Sequence, residues 1–150
     1  MSIIYYMENE MSFNEKSAWI MAAITVGSYV AYLNIILGNA HNLPLADVPY
    51  ASTLLWTIGA VIVASIVAHI VAAIAAPEDA DKQDQRDREI ERYGEYTGHW
   101  FVVAGAVGAL GMSMAELSHF WIANVIYLAL VVATLVASAA KILAYRRGFQ

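Results

Sequence analysis

Two histidines stand out in a chain that is 60% hydrophobic. His69 falls late in the apolar run YASTLLWTIGAVIVASIVAHIVAAIA, and His99 opens another, TGHWFVVAGAVGALGMSM. A neutral imidazole offers a nitrogen lone pair. Two of them on neighbouring helices can supply the axial ligands of a b-type haem, or hydrogen-bond a quinone. Ionisable groups inside apolar segments are functional candidates by default. The structural alternative is that Ser65, one turn before His69, hydrogen-bonds that ring, while His99 sits at a lipid interface.

A second constellation comprises His41, Asp47, Glu116 and His119, all in or beside the two loops between apolar runs. Their donor atoms suit zinc or copper. No regular spacing joins them, and Ser118 is also placed to cap the helix that follows. The chain has no cysteine, which excludes disulfides, thiolate metal sites and Cys-ligated clusters. GAVGALG lies inside an apolar run rather than between a strand and a helix, so it is no phosphate loop. There is no Ser nucleophile elbow and no HExxH motif. The chain therefore reads as non-enzymatic.

The elements that carry these residues follow from apolar length. A spanning helix needs roughly 20 mostly apolar residues. Four segments meet that need, with helices expected over about 17–37, 50–75, 84–114 and 119–144. The third is the shortest and most Gly-rich in its apolar part, Thr97 to Met114, and carries a charged extension before it. The expected fold is all-α, a single four-transmembrane-helix bundle over residues 1–150. The acidic start (Glu8, Glu10, Glu15) argues against a cleaved signal peptide. Residues 1–10 read as a lead-in, and Met11 is an alternative start. Trp19, Tyr50, Trp100 and Trp121 fall near the expected interfaces, where aromatics anchor.

Orientation comes from the basic residues. Lys16, Lys82, Arg86, Arg88, Arg92, Lys141, Arg146 and Arg147 all fall on one side of such a bundle. The positive-inside rule places that side, with both termini, in the cytoplasm. The basic residues form no patch for direct nucleic-acid binding. The expected location is a membrane that faces the cytoplasm on that side.

Polar residues fall in stripes. Asn124, Tyr127, Val131, Thr134, Ser138, Lys141 and Tyr145 are spaced 3, 4, 3, 4, 3 and 4. Thr25, Ser28, Tyr32, Ile35 and Asn39 repeat the pattern in the first helix. Both stripes are expected to turn inward and hydrogen-bond across the bundle, as glue or as the lining of a ligand cavity. Gly94, Gly98, Gly105 and Gly108, with Ala109 beside them, mark a close helix–helix approach. VASIVAHI and VASAAKI, about 73 residues apart, suggest two similar hairpins in parallel orientation.

The segment DKQDQRDREIERYGEYTGHW, residues 81–100, is the charged part. Pro77 ends the second helix. Beyond it, Glu78 with Lys82, Asp84 with Arg88, and Glu89 with Arg92 are opposite charges at helical spacing. Ile90, Tyr93, Thr97 and Trp100 continue one face, so the third helix is expected to start near Asp84 and run on without a break. Its exposed charges, Asp84, Arg86, Asp87, Arg88 and Arg92, either set topology or dock a soluble partner.

This segment and the chain's end resemble a group of small four-helix bacterial membrane proteins. The shared features are a DxRDxxI…G segment (Asp84, Arg86, Asp87, Ile90, Gly94), a short third helix and a Tyr-Arg-Arg-Gly end (Tyr145 to Gly148), over roughly residues 80–149. The resemblance implies a membrane partner for a small cytosolic helix-turn-helix regulator. It supplies no catalytic residue. The expectation is thus a sensory or interaction protein of the membrane. The alternatives are a haem- or quinone-binding redox module on His69 and His99, and a small transporter or accessory subunit, which would need to form a homo-oligomer.

Overall fold

The structure is a computed structural model that describes residues 13–75 and 85–147. Helices α1 (Phe13–Asn39), α2 (Ala51–Ala75), α3 (Gln85–Met114) and α4 (His119–Arg147) follow in chain order, and the described residues contain no strand. A single 3₁₀ turn, Leu45–Asp47, interrupts the α1–α2 loop. Against the expected 17–37 and 119–144, α1 begins four residues earlier and ends two later, and α4 ends three residues later. The stop at Pro77, the start at Asp84, Gly148 and the lead-in up to residue 12 lie outside the described residues.

Three of the four helices, α1, α2 and α4, are long and apolar enough to cross a membrane. At 1.5 Å per residue the 25 residues of α2 reach about 37 Å, more than a bilayer's hydrocarbon thickness of about 30 Å. No residue of α2 is buried, and Leu55, Trp56 and Ile74 are each more than 70% exposed. A soluble domain hides such side chains, whereas a bilayer covers them. The third helix differs. Its first half is charged and its apolar half, from Phe101 to Met114, is short.

The helices pack in the order α2–α1–α4–α3. α1 lies between α2 and α4, and α3 rests on α4. α2 and α3, the pair that closes a ring-shaped bundle, share no face of comparable extent. The α1–α2 and α3–α4 hairpins thus stand side by side in the same orientation, the layout suggested by the internal repeat. Only the second is tight. A Cβ placed on Gly98 would lie 2.6 Å from the Ala133 carbonyl oxygen, one on Gly94 would lie 2.9 Å from that of Ala137, and one on Gly105 would run into Ala129. The glycines let the α3 backbone seat against Ala129, Ala133 and Ala137, which recur every fourth residue on α4. In the first hairpin, Gly27, Gly38 and Gly59 face open space.

One end of the molecule is closed by a core of Tyr32, Ile36, Val48, Phe120, Tyr127 and Val131. Val48, just past the 3₁₀ turn, plugs it from the loop. Tyr32 and Tyr127 meet edge to face at 5.0 Å, and Tyr29 adds a second edge contact to Tyr127 at 5.5 Å. Ile36 is buried and Ile35 exposed, so the inward stripe of α1 shifts by one residue near its end. The α3–α4 turn is a Schellman motif. Leu117 N–H donates to the Met112 carbonyl, Glu116 N–H donates to that of Ser113, and Glu116 takes φ 57°.

Candidate functional site

The start of α1, the end of α2, the start of α3 and the end of α4 meet at the opposite, terminal end. There they line an open cavity of about 220 Å³. α1 contributes Asn14, Ser17, Ala18 and Met21, α2 contributes His69, α3 contributes Ile90 and Glu91, and α4 contributes Ser138, Lys141 and Tyr145. Each side chain arrives there for a local reason. Ile90 is fully buried and holds the first turns of α3 on the bundle. Ser138 and Lys141 are three residues apart, so they share one face of α4. The Lys141 stem crosses α3 at Gly94, where a Cβ would lie 2.6 Å from its Cγ.

His69 is held on both ring nitrogens. Nδ1 lies 2.6 Å from the Ser65 carbonyl oxygen, which can only accept, so Nδ1 carries the proton. In the neutral ring Nε2 then accepts from the Ser17 hydroxyl at 2.5 Å, across the α1–α2 interface. Ser65 does restrain His69, but through its carbonyl. Its hydroxyl is buried with no partner among the described residues. The Nε2 lone pair that haem ligation requires is engaged. His99 does not join it. That residue is exposed on α3, at the far edge of the packing order, and is not among the residues lining the cavity. The structure does not bring the two histidines together as an axial pair.

Two contacts brace the cavity rim. Tyr145 Oη donates to Asp87 at 2.8 Å, tying the end of α4 to the start of α3. Arg146 Nε donates to the buried carboxylate of Glu15 at 3.3 Å, and its guanidinium lies 5.8 Å from the Trp19 ring centroid. Of the charged docking candidates, Arg86, Arg88 and Arg92 are exposed, Asp87 is the half-buried partner of Tyr145, and Asp84 lies outside the described residues. Glu91, from the same charge run, turns the other way into the cavity.

Compared with known protein families, curated sequences and solved structures, the chain has no significant match.

A second, apolar groove of about 170 Å³ adjoins the cavity. Met21, Thr25, Ile58, Val61, Ile62, Tyr127, Leu130, Val131 and Thr134 line it, so Met21 belongs to both spaces. The polar stripes turn inward in part. Tyr32 Oη donates to Asn124 Oδ1 at 2.8 Å between α1 and α4, and Thr25 and Ser138 are buried. The expectation of hydrogen bonds across the bundle does not extend to Thr134, whose hydroxyl donates to the Leu130 carbonyl of its own helix. Asn124 Nδ2 similarly donates to Phe120. Ser28 is half-buried, and Asn39 is exposed at the last turn of α1.

The loop-end metal candidates stay apart. His41, Asp47, Glu116 and His119 are all exposed, and among the described residues no three His, Cys, Asp or Glu side chains gather to hold one ion. Ser118 precedes α4, and its carbonyl accepts from Trp121 and Ile122. Its hydroxyl is buried without a partner among the described residues, so it makes no side-chain cap.

Sequence reasoning missed Ser17, Glu91 and the Glu15–Arg146 pair. Ser17 carried a usable signal: it stands one residue before Ala18, which shares a heptad-spaced inward stripe with Thr25 and Tyr32. Glu91 carried none that separates it from the other acids of its run.

Proposed function

We propose that the chain is a non-enzymatic protein of the bacterial inner membrane, crossing four times with both termini in the cytoplasm. It docks a cytosolic helix-turn-helix regulator on the first turns of α3 and reads a membrane-derived ligand in the cavity beneath them. One observation carries this reading. The helical turns that present Arg86, Arg88 and Arg92 outward also send Ile90 and Glu91 into the cavity, beside His69 and Lys141. Occupancy of the cavity is therefore one side-chain layer from the docking face. Restriction of all eight Lys and Arg residues to one side supports the orientation. The seam from Gly94–Lys141 to Gly108–Val125 supports a third crossing, because it holds the apolar half of α3 beside a helix that is itself long enough to cross. The resemblance of the Asp84–Gly94 segment supports the class of partner.

The test is site-specific photocrosslinking in intact cells from position 88, with the product identified by mass spectrometry. A crosslinked DNA-binding regulator is expected, and it is lost when Arg86 and Arg92 are both changed to Glu. A crosslink unchanged by that double reversal defeats the docking reading. Since the chain has no cysteine, single cysteines at Arg88 and Asn42 report topology directly. The first is expected to be shielded from an impermeant maleimide applied outside, and the second to be labelled.

A further inference from the structure

The cavity and the groove adjoin at Met21, and only the cavity is lined by charged side chains. The cavity holds one cation, Lys141, and one anion, Glu91, from helices packed against each other. Among the described residues no ion pair joins them, and no hydrogen bond engages either charge. Both side chains are partly buried and line one open space, so a ligand that carries both charges can pair with each. The buried Ser138 lies beside Lys141 on the same face of α4 and adds a hydroxyl donor. Met21 then leads from this polar space into the apolar groove between α1, α2 and α4. From Lys141 to Tyr127 the lining runs along α4 for about 21 Å at 1.5 Å per residue. Neither space alone reaches the roughly 300 Å³ typical of a small-molecule site, but together they do.

We propose that the two spaces form one site for a zwitterionic phospholipid-type amphiphile, its head carrying a phosphate and a primary ammonium and its single chain lying in the groove. The phosphate faces Lys141 and Ser138, the ammonium faces Glu91, and the chain passes Met21. A purely anionic head would meet the Glu91 carboxylate unpaired. A purely cationic one would meet Lys141. The assignment names the ligand class of the cavity invoked in the docking reading and rests on that reading for its role, not for its chemistry.

The experiment uses the full chain in non-ionic detergent, with binding read by native mass spectrometry. The probes are 1-oleoyl lysophosphatidylethanolamine, 1-oleoyl lysophosphatidylglycerol and water-soluble phosphoethanolamine. The wild-type chain is expected to prefer the ethanolamine lipid over the glycerol lipid by about tenfold or more, the worth of one charge-assisted pair. Glu91→Gln removes that preference while still binding both lipids. Lys141→Gln weakens both. Val61→Trp fills the groove and weakens both without touching the head residues, and circular dichroism confirms that each variant folds. Equal binding of the two lipids by the wild-type chain, or a preference that survives Glu91→Gln, overturns the head assignment. Phosphoethanolamine binding as tightly as its lysolipid overturns the tail assignment. Loss of lipid preference with the position-88 crosslink intact removes only this ligand. Loss of the crosslink with the preference intact removes only the docking reading.

Discussion

The Gly98 contact offers the sharpest test of how α3 is held. In Gly98→Ala the new methyl would sit 2.6 Å from the Ala133 carbonyl oxygen and 3.1 Å from the Ala137 Cβ, with ordinary contact beginning near 3.4 Å. The carbonyl belongs to the α4 backbone and cannot rotate aside. The two helices must separate locally by about 0.8 Å, or α3 must shift along α4. Overpacking of this kind costs about 1–3 kcal/mol. Alanine also raises helix propensity over glycine by about 1 kcal/mol, which partly offsets the clash. Gly108→Ala is the internal control, since its methyl meets Val125 Cγ1 at a comfortable 4.0 Å in the same helix. Both variants gain the propensity term, so their difference isolates the contact and is expected to be about 1–3 kcal/mol. SDS titration of the protein in dodecylmaltoside micelles, followed by far-UV circular dichroism, reads it.

A second arm separates steric from chemical explanations. The clash at Gly105 is with the Ala129 methyl, so Gly105→Ala should be largely rescued by Ala129→Gly. The main clash at Gly98 is with a carbonyl, so Ala133→Gly should not rescue Gly98→Ala. If Gly98→Ala is as stable as Gly108→Ala, or if Ala133→Gly rescues it, close backbone approach is not what holds α3. Hydrophobic attraction is no substitute within lipid, where the hydrocarbon competes equally for every apolar face.

Two further predictions concern single contacts. A Tyr32→Phe and Asn124→Ala double-mutant cycle should return a coupling of about 0.6–1.7 kcal/mol, the range for interhelical hydrogen bonds in membranes, and a value near zero would mean that the 2.8 Å bond is not made in micelles. Glu116→Gly should raise stability by about 0.5–1 kcal/mol, because φ 57° strains any residue with a Cβ and glycine relieves it, less its own greater flexibility when unfolded. A thermal midpoint that falls on that substitution would contradict the Schellman assignment.

The number of helices and their limits were legible because each apolar run has its own length and its own break. The α3 glycines were legible because a small-residue stripe on a helix has few uses other than close approach to a neighbour. The packing order was not. A stripe such as Asn124–Tyr127–Ser138 gives the angular direction of one face of α4 and says nothing about which helix it meets. Tyr32 of α1 meets the upper part of that face, and the start of α3 meets the lower. The same ambiguity applies to the His69–His99 pairing. Similar depth along two helices does not make them neighbours, and α1 and α4 stand between these two in the packing order. Hydrogen-bond partners were legible only to the nearest residue. Ser65 was the right neighbour for His69, but the carbonyl made the bond. Thr134 and Asn124 use carbonyls of their own helix, an option that every Ser, Thr or Asn in a helix carries and that sequence cannot exclude.

The charged stretch in so apolar a chain is explained by the seam below it. A helix that packs through glycines offers little side-chain surface of its own on that face, so its partner's side chains can lie across it. At Gly94 the stem of Lys141 does so, and Lys141 and Glu91 line the same space. Ile90, one turn before Gly94, is fully buried, and Arg92, two residues after Ile90, is exposed. The same few residues therefore seat the helix, line the cavity and present charge to the outside. Any force that spreads Lys141 from Glu91 must act against the Ile90 contact and the Asp87–Tyr145 bond, both at the start of α3. Farther along, the Gly98 and Gly105 contacts leave no slack. On the proposed reading, a ligand between Lys141 and Glu91 would act on the first turns of α3, where the exposed arginines are.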